Sequence, residues 1–257
     1  MVLAFTDERG RVAVAFTDRS GGVSSAPYAE LSLSIPAQPV EGCSTAALRA
    51  EVTENRLRVS RALTGEDGAD RLRTMRQVHG AEVTYVGEAD ACGGAEDPES
   101  DALVTDQASV VLAARAADCV PVLLGDGDAG VVAAVHAGRQ GLVAGVVPRT
   151  VAALRDRGAR RLTAWIGPHV CGRCYEVPAS LRDEVAATVP GTDSETSWRT
   201  PSLDLGAGVR RQLEAATGTT VEIVSFEPCT VEDDRFYSHR RQGAASGRHA
   251  GLVWLRP

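Results

Sequence analysis

Short apolar runs broken by Gly, Asp and Pro dominate the middle of the chain. SVVLAARAADC (109–119), PVLLGD (121–126) and GVVAAVHAG (130–138) are too short for helices and rich in Val and Leu, the pattern of neighbouring strands buried on both faces. RLTAWIGP (161–168), VEIVSF (221–226) and AGLVWL (250–255) predict further strands. Near the start, VAVAFT (12–17) reads as a strand that runs into a Ser-Gly-Gly turn. Elsewhere the period lengthens to that of a helix: Leu48, Val52, Leu57 and Leu63 predict one over residues 44–63, and similar spacing predicts others over 178–189 and 203–217. Residues 141–157 are also helical in pattern, with Pro148 kinking or restarting the helix. Strands interleaved with helices make the class mixed α/β.

Length then bounds the organisation. With 257 residues, no internal repeat and no Pro/Gly/Ser linker, the chain reads as one domain over 1–257. Apolar residues make up 44% and charged residues 24%, which excludes disordered, collagen-like and coiled-coil chains. Asp and Arg interrupt every long hydrophobic stretch, so no membrane span is expected, and MVLAFTDERG lacks the build of a secretory leader. A cytoplasmic address is the expectation.

Charge narrows the chemistry. Net charge is −7, and the sequence contains no Lys: all 27 basic residues are Arg. Schiff-base chemistry and the phosphate-binding P-loop both need a Lys ammonium and are excluded. An acidic balance with 4% aromatics offers little to a polyanion, so nucleic acid is not an expected partner.

There are six Cys and five His. In a chain of this size without a leader, free thiols or metal ligands are expected rather than a disulfide framework. Cys171 and Cys174 form a C-x-x-C in a loop, but no second such pair exists to complete a four-thiolate zinc ribbon; a structural or incidental role is the expectation. His169 beside them makes a candidate second soft site. Polar residues stand where apolar runs end: Gln77-Val78-His79-Gly80, Ala117-Asp118-Cys119 and Val135-His136-Ala137-Gly138. His79, Cys119 and His136 supply two imidazoles and a thiolate, the donor set of a catalytic zinc that keeps one position open. Taken singly, each is as readily a buried core residue.

The order FTDRSGGVSSAPY, QVHGAEV, SDALVT, AADCVPVLL, AAVHAGRQG, IGP with CYEV, then CT, FYSHRR and GRHAGLVWL resembles the YfiH family, also called laccase-domain or polyphenol oxidoreductase proteins. The resemblance implies a single layered sandwich of mixed sheets and helices, related to cysteine-hydrolase toxins. It implies a purine nucleoside phosphorylase acting on adenosine, inosine, guanosine and methylthioadenosine, with adenosine deaminase activity. It implies metal binding by His79, Cys119 and His136, through Zn2+ or Cu2+, and a homodimer. A multicopper centre is not expected, because five His cannot fill one.

For deamination, Asp118 is a candidate proton shuttle, with bracing of backbone or of a His as the alternative. For phosphorolysis, a cationic pocket must hold phosphate against the ribose, and here only Arg can supply it; Arg19, Arg240 and Arg241 are candidates, with Tyr28 and His239 lining the pocket. The family's HAGWRG reads HAGRQG here, placing Arg139 and Gln140 where Trp and Arg are usual and making phosphorolysis less secure than metal binding. Leu31-Ser32-Leu33 replaces the usual Leu-Asn-Leu and removes an amide donor. Three other readings remain open: a metal-free Cys-His hydrolase or amidase with Cys119 as nucleophile, a copper-linked polyphenol oxidoreductase, and a metal-binding protein impaired in catalysis.

Overall fold

The apolar runs become the central strands of two sheets. The computed structural model describes residues 2–36, 39–65, 71–88 and 97–256; Cys92 lies outside them. The chain opens with a hairpin of β1 (Leu3–Arg9) and β2 (Val12–Thr17), followed by α1 (Thr45–Thr64). Next come β3 (Leu72–Arg73), β4 (Val83–Tyr85), β5 (Ala102–Thr105), β6 (Val111–Ala116), β7 (Val120–Asp126) and β8 (Val131–Ala137). Helices α2 (Arg139–Val143) and α3 (Val146–Asp156) lead to β9 (Arg161–Ile166), α4 (Ala179–Thr188), β10 (Asp193–Glu195), β11 (Pro201–Leu203) and α5 (Leu205–Glu214). The chain ends with β12 (Thr220–Ser225), α6 (His239–Gln242) and β13 (His249–Leu255).

One sheet has the order β1-β2-β13-β6-β3 and the other β12-β9-β7-β8-β5-β4, while β10 and β11 form a small separate ribbon. Alternation along the strands sorts side chains into three apolar layers. Val14 and Phe16 of β2, Leu112 of β6 and Val253 of β13 meet Leu123 of β7, Ala134 of β8 and Trp165 of β9 between the sheets. One residue along, Val122 and Leu124 of β7 and Val135 of β8 turn to the far side and pack on Val147 and Leu154 of α3 and Val209 of α5. On the outer face of the first sheet, Ala15, Ala113 and Leu252 pack with Val59 of α1. The result is helix, sheet, sheet, helices: an α/β layered sandwich. Both inner sheet faces are apolar and buried, and each fully buried Val or Leu contributes about 1.5–3 kcal/mol. Trp165, fully buried there, donates its indole N–H to Asp7 at 2.9 Å.

The expected helices form within a residue or two of their predicted limits at α1 and α4, and α5 is shorter than predicted. Pro148 restarts rather than kinks: α2 ends before Gly145, which takes φ +81°, and Pro148 sits in the first turn of α3, where its missing N–H costs nothing. On α1 the deepest side chain beside Val59 is polar. Asn55 is fully buried, accepts from the Val23 N–H at 2.8 Å and donates to Ser24, Glu30 and Ser32. Strand β1 was not expected, because its outward positions carry Thr6, Glu8 and Arg9 and mask the pattern. At the rims, β3 has 2 residues and β4 has 3, and β12 exposes Thr220 and Glu222 on one side and Ser225 at its end. Among the described residues, no helix is long and apolar enough to cross a membrane.

Candidate metal centre and active site

Strand ends bring the three expected donors together. Cys119 immediately precedes β7, and His136 lies one residue from the end of β8; these strands pair antiparallel, with Val120 opposite Ala137 and Pro121 opposite His136. A β7 entrance therefore stands beside a β8 exit. His79 arrives on the loop after β3. The donor atoms of His79, Cys119 and His136 all lie within 4.8 Å of one another, with His79 Nε2 at 3.7 Å from Cys119 Sγ.

One carboxylate organises the two imidazoles. Asp101, just ahead of β5 and fully buried, accepts from His136 Nδ1 at 2.8 Å, while its backbone carbonyl accepts from the His136 N–H at 2.8 Å. The same carboxylate accepts from the backbone N–H groups of Val78, His79 and Gly80 at 3.3, 3.0 and 2.7 Å. Those bonds hold His79 at φ +60°, a conformation few non-glycine residues adopt, and aim its ring at Cys119. Gln77 completes the anchor by exchanging hydrogen bonds with the backbone of Arg115 at 2.7 and 3.0 Å. Gly138 supplies the room: a Cβ there would lie 2.5 Å from His79 Cδ2 and 3.3 Å from Cys119 Sγ.

Charge follows from this packing. Burial opposes ionisation of Cys119, but the His136 imidazolium beside it, with hydrogen bonds from His136 and His79, brings its thiol down to about 6. Burial likewise opposes the charge on His136, yet the Cys119 thiolate and the Asp101 hydrogen bond raise it to about 9. Asp101 is itself held below the usual carboxylate range: burial would raise it, and His136 with the Gly80 and Val78 N–H groups outweigh that. Asp101 fixes Nδ1 of His136 and leaves Nε2 free to face the cluster, the orientation that a metal-bound histidine takes. Two imidazoles and one thiolate fit a borderline cation such as zinc.

The cluster lines a cavity of about 710 Å³ whose lining also includes Arg76, Arg115, Arg139, Gln140, Arg240 and Arg248. His239, Asp118 and Tyr175 also face it. Of these cations, Arg76 pairs with Glu99, and Arg115 pairs with Asp97 at 3.5 Å while donating to Met75 O at 2.5 Å. The Arg240 guanidinium lies 4.9 Å above the Tyr175 ring.

Three expected pocket residues lie elsewhere. The Arg19 side chain turns to Ala29 O, at 2.7 and 3.1 Å, and stacks over Tyr237. Tyr28 is fully buried and its hydroxyl accepts from the Val40 N–H at 2.8 Å. Arg241 donates to Val231 O and Phe236 O and pairs with Asp234 at 2.8 Å, so it ties a loop together. None of the three lines the cavity. Asp118 faces the cavity and makes the contacts of the bracing alternative. Its Oδ1 accepts from the Thr230 hydroxyl at 2.7 Å and its Oδ2 from the Arg240 N–H at 2.5 Å, so the carboxylate braces two loops beside the site. Ser32 stays under a loop, donating to Ser34 O at 3.0 Å.

Arg76, Arg115, Arg248 and Tyr175 were not singled out from the sequence, and Asp101 was seen only within SDALVT. The arginines are indistinguishable by composition in so Arg-rich a chain, and a carboxylate ahead of a strand has no spacing of its own.

Comparison with known proteins fits this geometry. The family described as multi-copper polyphenol oxidoreductase laccase matches residues 13–256. The chain belongs to that family, the YfiH or laccase-like proteins. Over 248 residues it is 49% identical to the purine nucleoside phosphorylase ORF3 of Streptomyces griseus, covering 96% of this chain and 95% of that one. A purine nucleoside phosphorylase of Corynebacterium glutamicum is 41% identical over 253 residues, 97% of each chain. The crystal structure of YlmD from Geobacillus stearothermophilus superposes with a TM-score of 0.83 at 29% identity, covering 100% of this chain and 99% of that one. YfiH of Bacillus licheniformis gives 0.81 at 26% identity, covering 95% and 93%. Among the described residues, this laccase-like chain gathers His and Cys donors only at His79, Cys119 and His136 and around Cys171, which is too few for a multicopper cluster.

Proposed function

We propose that this laccase-like protein is a zinc-dependent purine nucleoside phosphorylase that also deaminates adenosine, working in the cavity above His79, Cys119 and His136. The observation that carries the reading is the convergence of those three donors in the lining of an arginine-rich cavity of about 710 Å³. The names of its relatives support the substrate class. Zinc held by the three side chains supplies a Lewis acid that makes a nucleophile available near neutral pH.

The chain's own groups do the rest. In phosphorolysis a phosphate oxygen bonds to C1′ of the ribose as the C1′–N9 bond breaks, and the electron pair leaves with the base. Arg139 and Arg240 hold the phosphate against C1′, a positioning task for which guanidinium forks are suited. Arg139, at the start of α2, has no ion-pair partner among the described residues and replaces the cation that Gln140 lacks. Asp101 keeps His136 oriented, and Asp118 fixes the backbone that carries Arg240.

Metal-loaded protein incubated with adenosine is expected to give adenine and ribose 1-phosphate when phosphate is present, and inosine by deamination. Arg139→Ala should raise the KM for phosphate about tenfold, the loss of roughly one charge-assisted hydrogen bond, and leave deamination unchanged. Absence of every product from metal-loaded protein overturns the reading. A second reading has one observation in its favour: Cys119 Sγ lies 3.7 Å from His79 Nε2 with His136 in the same cluster, the kind of pairing that activates the thiol of a Cys-His hydrolase. Covalent capture of Cys119 in metal-free, active protein would select it.

A further inference from the structure

Outside the cavity, two segments distant in sequence make the same turn and face each other. Strands β9 and β12 are parallel neighbours, with Ile166 opposite Ser225, and their pairing continues past the sheet as a parallel bridge between His169 and Cys229. Each segment then folds once. After β9, the carbonyl of Cys171 accepts from the N–H groups of Cys174 and Tyr175 at 3.0 and 3.1 Å. After β12, the carbonyl of Cys229 accepts from Glu232 and Asp233 at 3.1 and 2.9 Å. C-x-x-C is thus matched by C-x-x-E, with a donor side chain at the first and fourth position of each turn.

The donor atoms of Cys171, Cys174, Cys229 and Glu232 all lie within 4.8 Å of one another. All three thiols are free, and Cys174 and Cys229 are buried. Cys174 Sγ reaches Glu232 Oε1 at 3.5 Å, and the Cys171 N–H donates to Cys229 Sγ at 3.4 Å. An N–H aimed at a sulfur stabilises a thiolate more than a thiol. Arg173, between the two cysteines of the first turn, lies 3.5 Å from Glu232 Oε2 and offsets negative charge. His169 does not belong to the group: its Nδ1 lies 2.8 Å from Gly167 O and its Nε2 faces Glu227 at 3.9 Å.

We infer that Cys171, Cys174, Cys229 and Glu232 form a second, structural zinc site, closed by three sulfurs and one carboxylate. Four protein donors leave no position for substrate, and three thiolates select a borderline-soft cation over calcium or magnesium. The site clamps the segments after β9 and β12. Those segments carry Val170, which donates to Asp118 O at 3.0 Å, and Tyr175 beneath Arg240, so the clamp stiffens one wall of the cavity.

Metal counting tests this separately from the active-site assignment. Full-length protein from zinc-supplemented cells, dialysed and analysed by plasma mass spectrometry, is expected to hold two zinc ions per chain. The variant Cys119→Ala/His136→Ala should hold one, and that one should be lost when Cys171→Ser and Cys229→Ser are added. If the double variant fails to fold, cobalt replacement in the unaltered protein answers the same question, because a three-sulfur site gives a far stronger thiolate-to-cobalt charge-transfer band than a single-sulfur one. Glu232→Gln, an exposed change, should speed zinc loss to a chelator from this site alone. Retention of no zinc by folded Cys119→Ala/His136→Ala, or a disulfide among Cys171, Cys174 and Cys229 in protein purified without reductant, overturns the inference.

Discussion

The two thiol clusters use similar donors for opposite ends. His79, Cys119 and His136 come from three separate loops and strand ends, count three donors, and border a cavity of about 710 Å³. Cys171, Cys174, Cys229 and Glu232 come from two matched turns, count four, and sit against Val170 and Val231. The difference lies in what surrounds the donors. An open set needs outside support to stay aimed, which Asp101, Gln77 and the gap left by Gly138 provide; a closed set is aimed by the turns themselves.

Removing one sulfur from each cluster breaks the comparison most sharply. Cys119→Ala should lower turnover of adenosine by on the order of a thousandfold or more, since the Lewis acid it helps hold contributes several kcal/mol to the transition state. Its melting temperature should stay close to that of the unaltered protein. Cys229→Ser should do the reverse, costing several degrees in melting temperature with turnover changed less than tenfold. Equal loss of activity in both variants, by steady-state assay and calorimetry, would collapse the distinction.

Asp101→Asn is the next largest effect. It keeps the shape but weakens the hold on His136 and on the loop of His79, so metal affinity and turnover should each fall about 10- to 100-fold. Competition with a chelator and initial rates would measure the two.

The smallest effect on turnover concerns a buried histidine of the opposite kind. His249, fully buried in β13 against Phe236, is pushed down to about 4 by burial, which the backbone of Pro168 and Asp118 only partly offset. The unfolded chain, with an ordinary value near 6.5, takes up the proton first. Stability from this residue is therefore complete above about 6.5 and lost as pH falls toward about 4, by up to a few kcal/mol. Denaturant titrations between those limits should show the slope, and His249→Leu should flatten it.

Much of this was legible in the sequence, for physical reasons that also mark where legibility stops. Strands buried on both faces are continuous apolar runs, so β6, β7, β8 and β9 stand out; β1, β3 and β10 are short or outwardly polar and do not. Cys119 and His136 could be read because each sits at the end of such a run, while His79 stood out only through its QVHG motif in a loop. Asp101 could not, because its importance comes from four hydrogen bonds made after folding. Arg19, Tyr28 and Arg241 stand outside the cavity because loop backbone takes up their polar groups, which their motifs do not reveal. The second cluster was half visible: C-x-x-C at 171–174 was plain, while its partner, C-x-x-E at 229–232, ends in a carboxylate and returns through a parallel pairing that no local spacing reveals.

The rims of the two sheets bear on how the protein behaves at high concentration. An open sheet invites a neighbouring chain to add itself wherever unpaired amide groups run long and flat. Here β3 and β4 offer 2 and 3 residues, β1 ends in Asp7, Glu8 and Arg9, and β12 sets Glu222 midway along its length. Strand-by-strand accretion into fibrils therefore finds little purchase on any of the four.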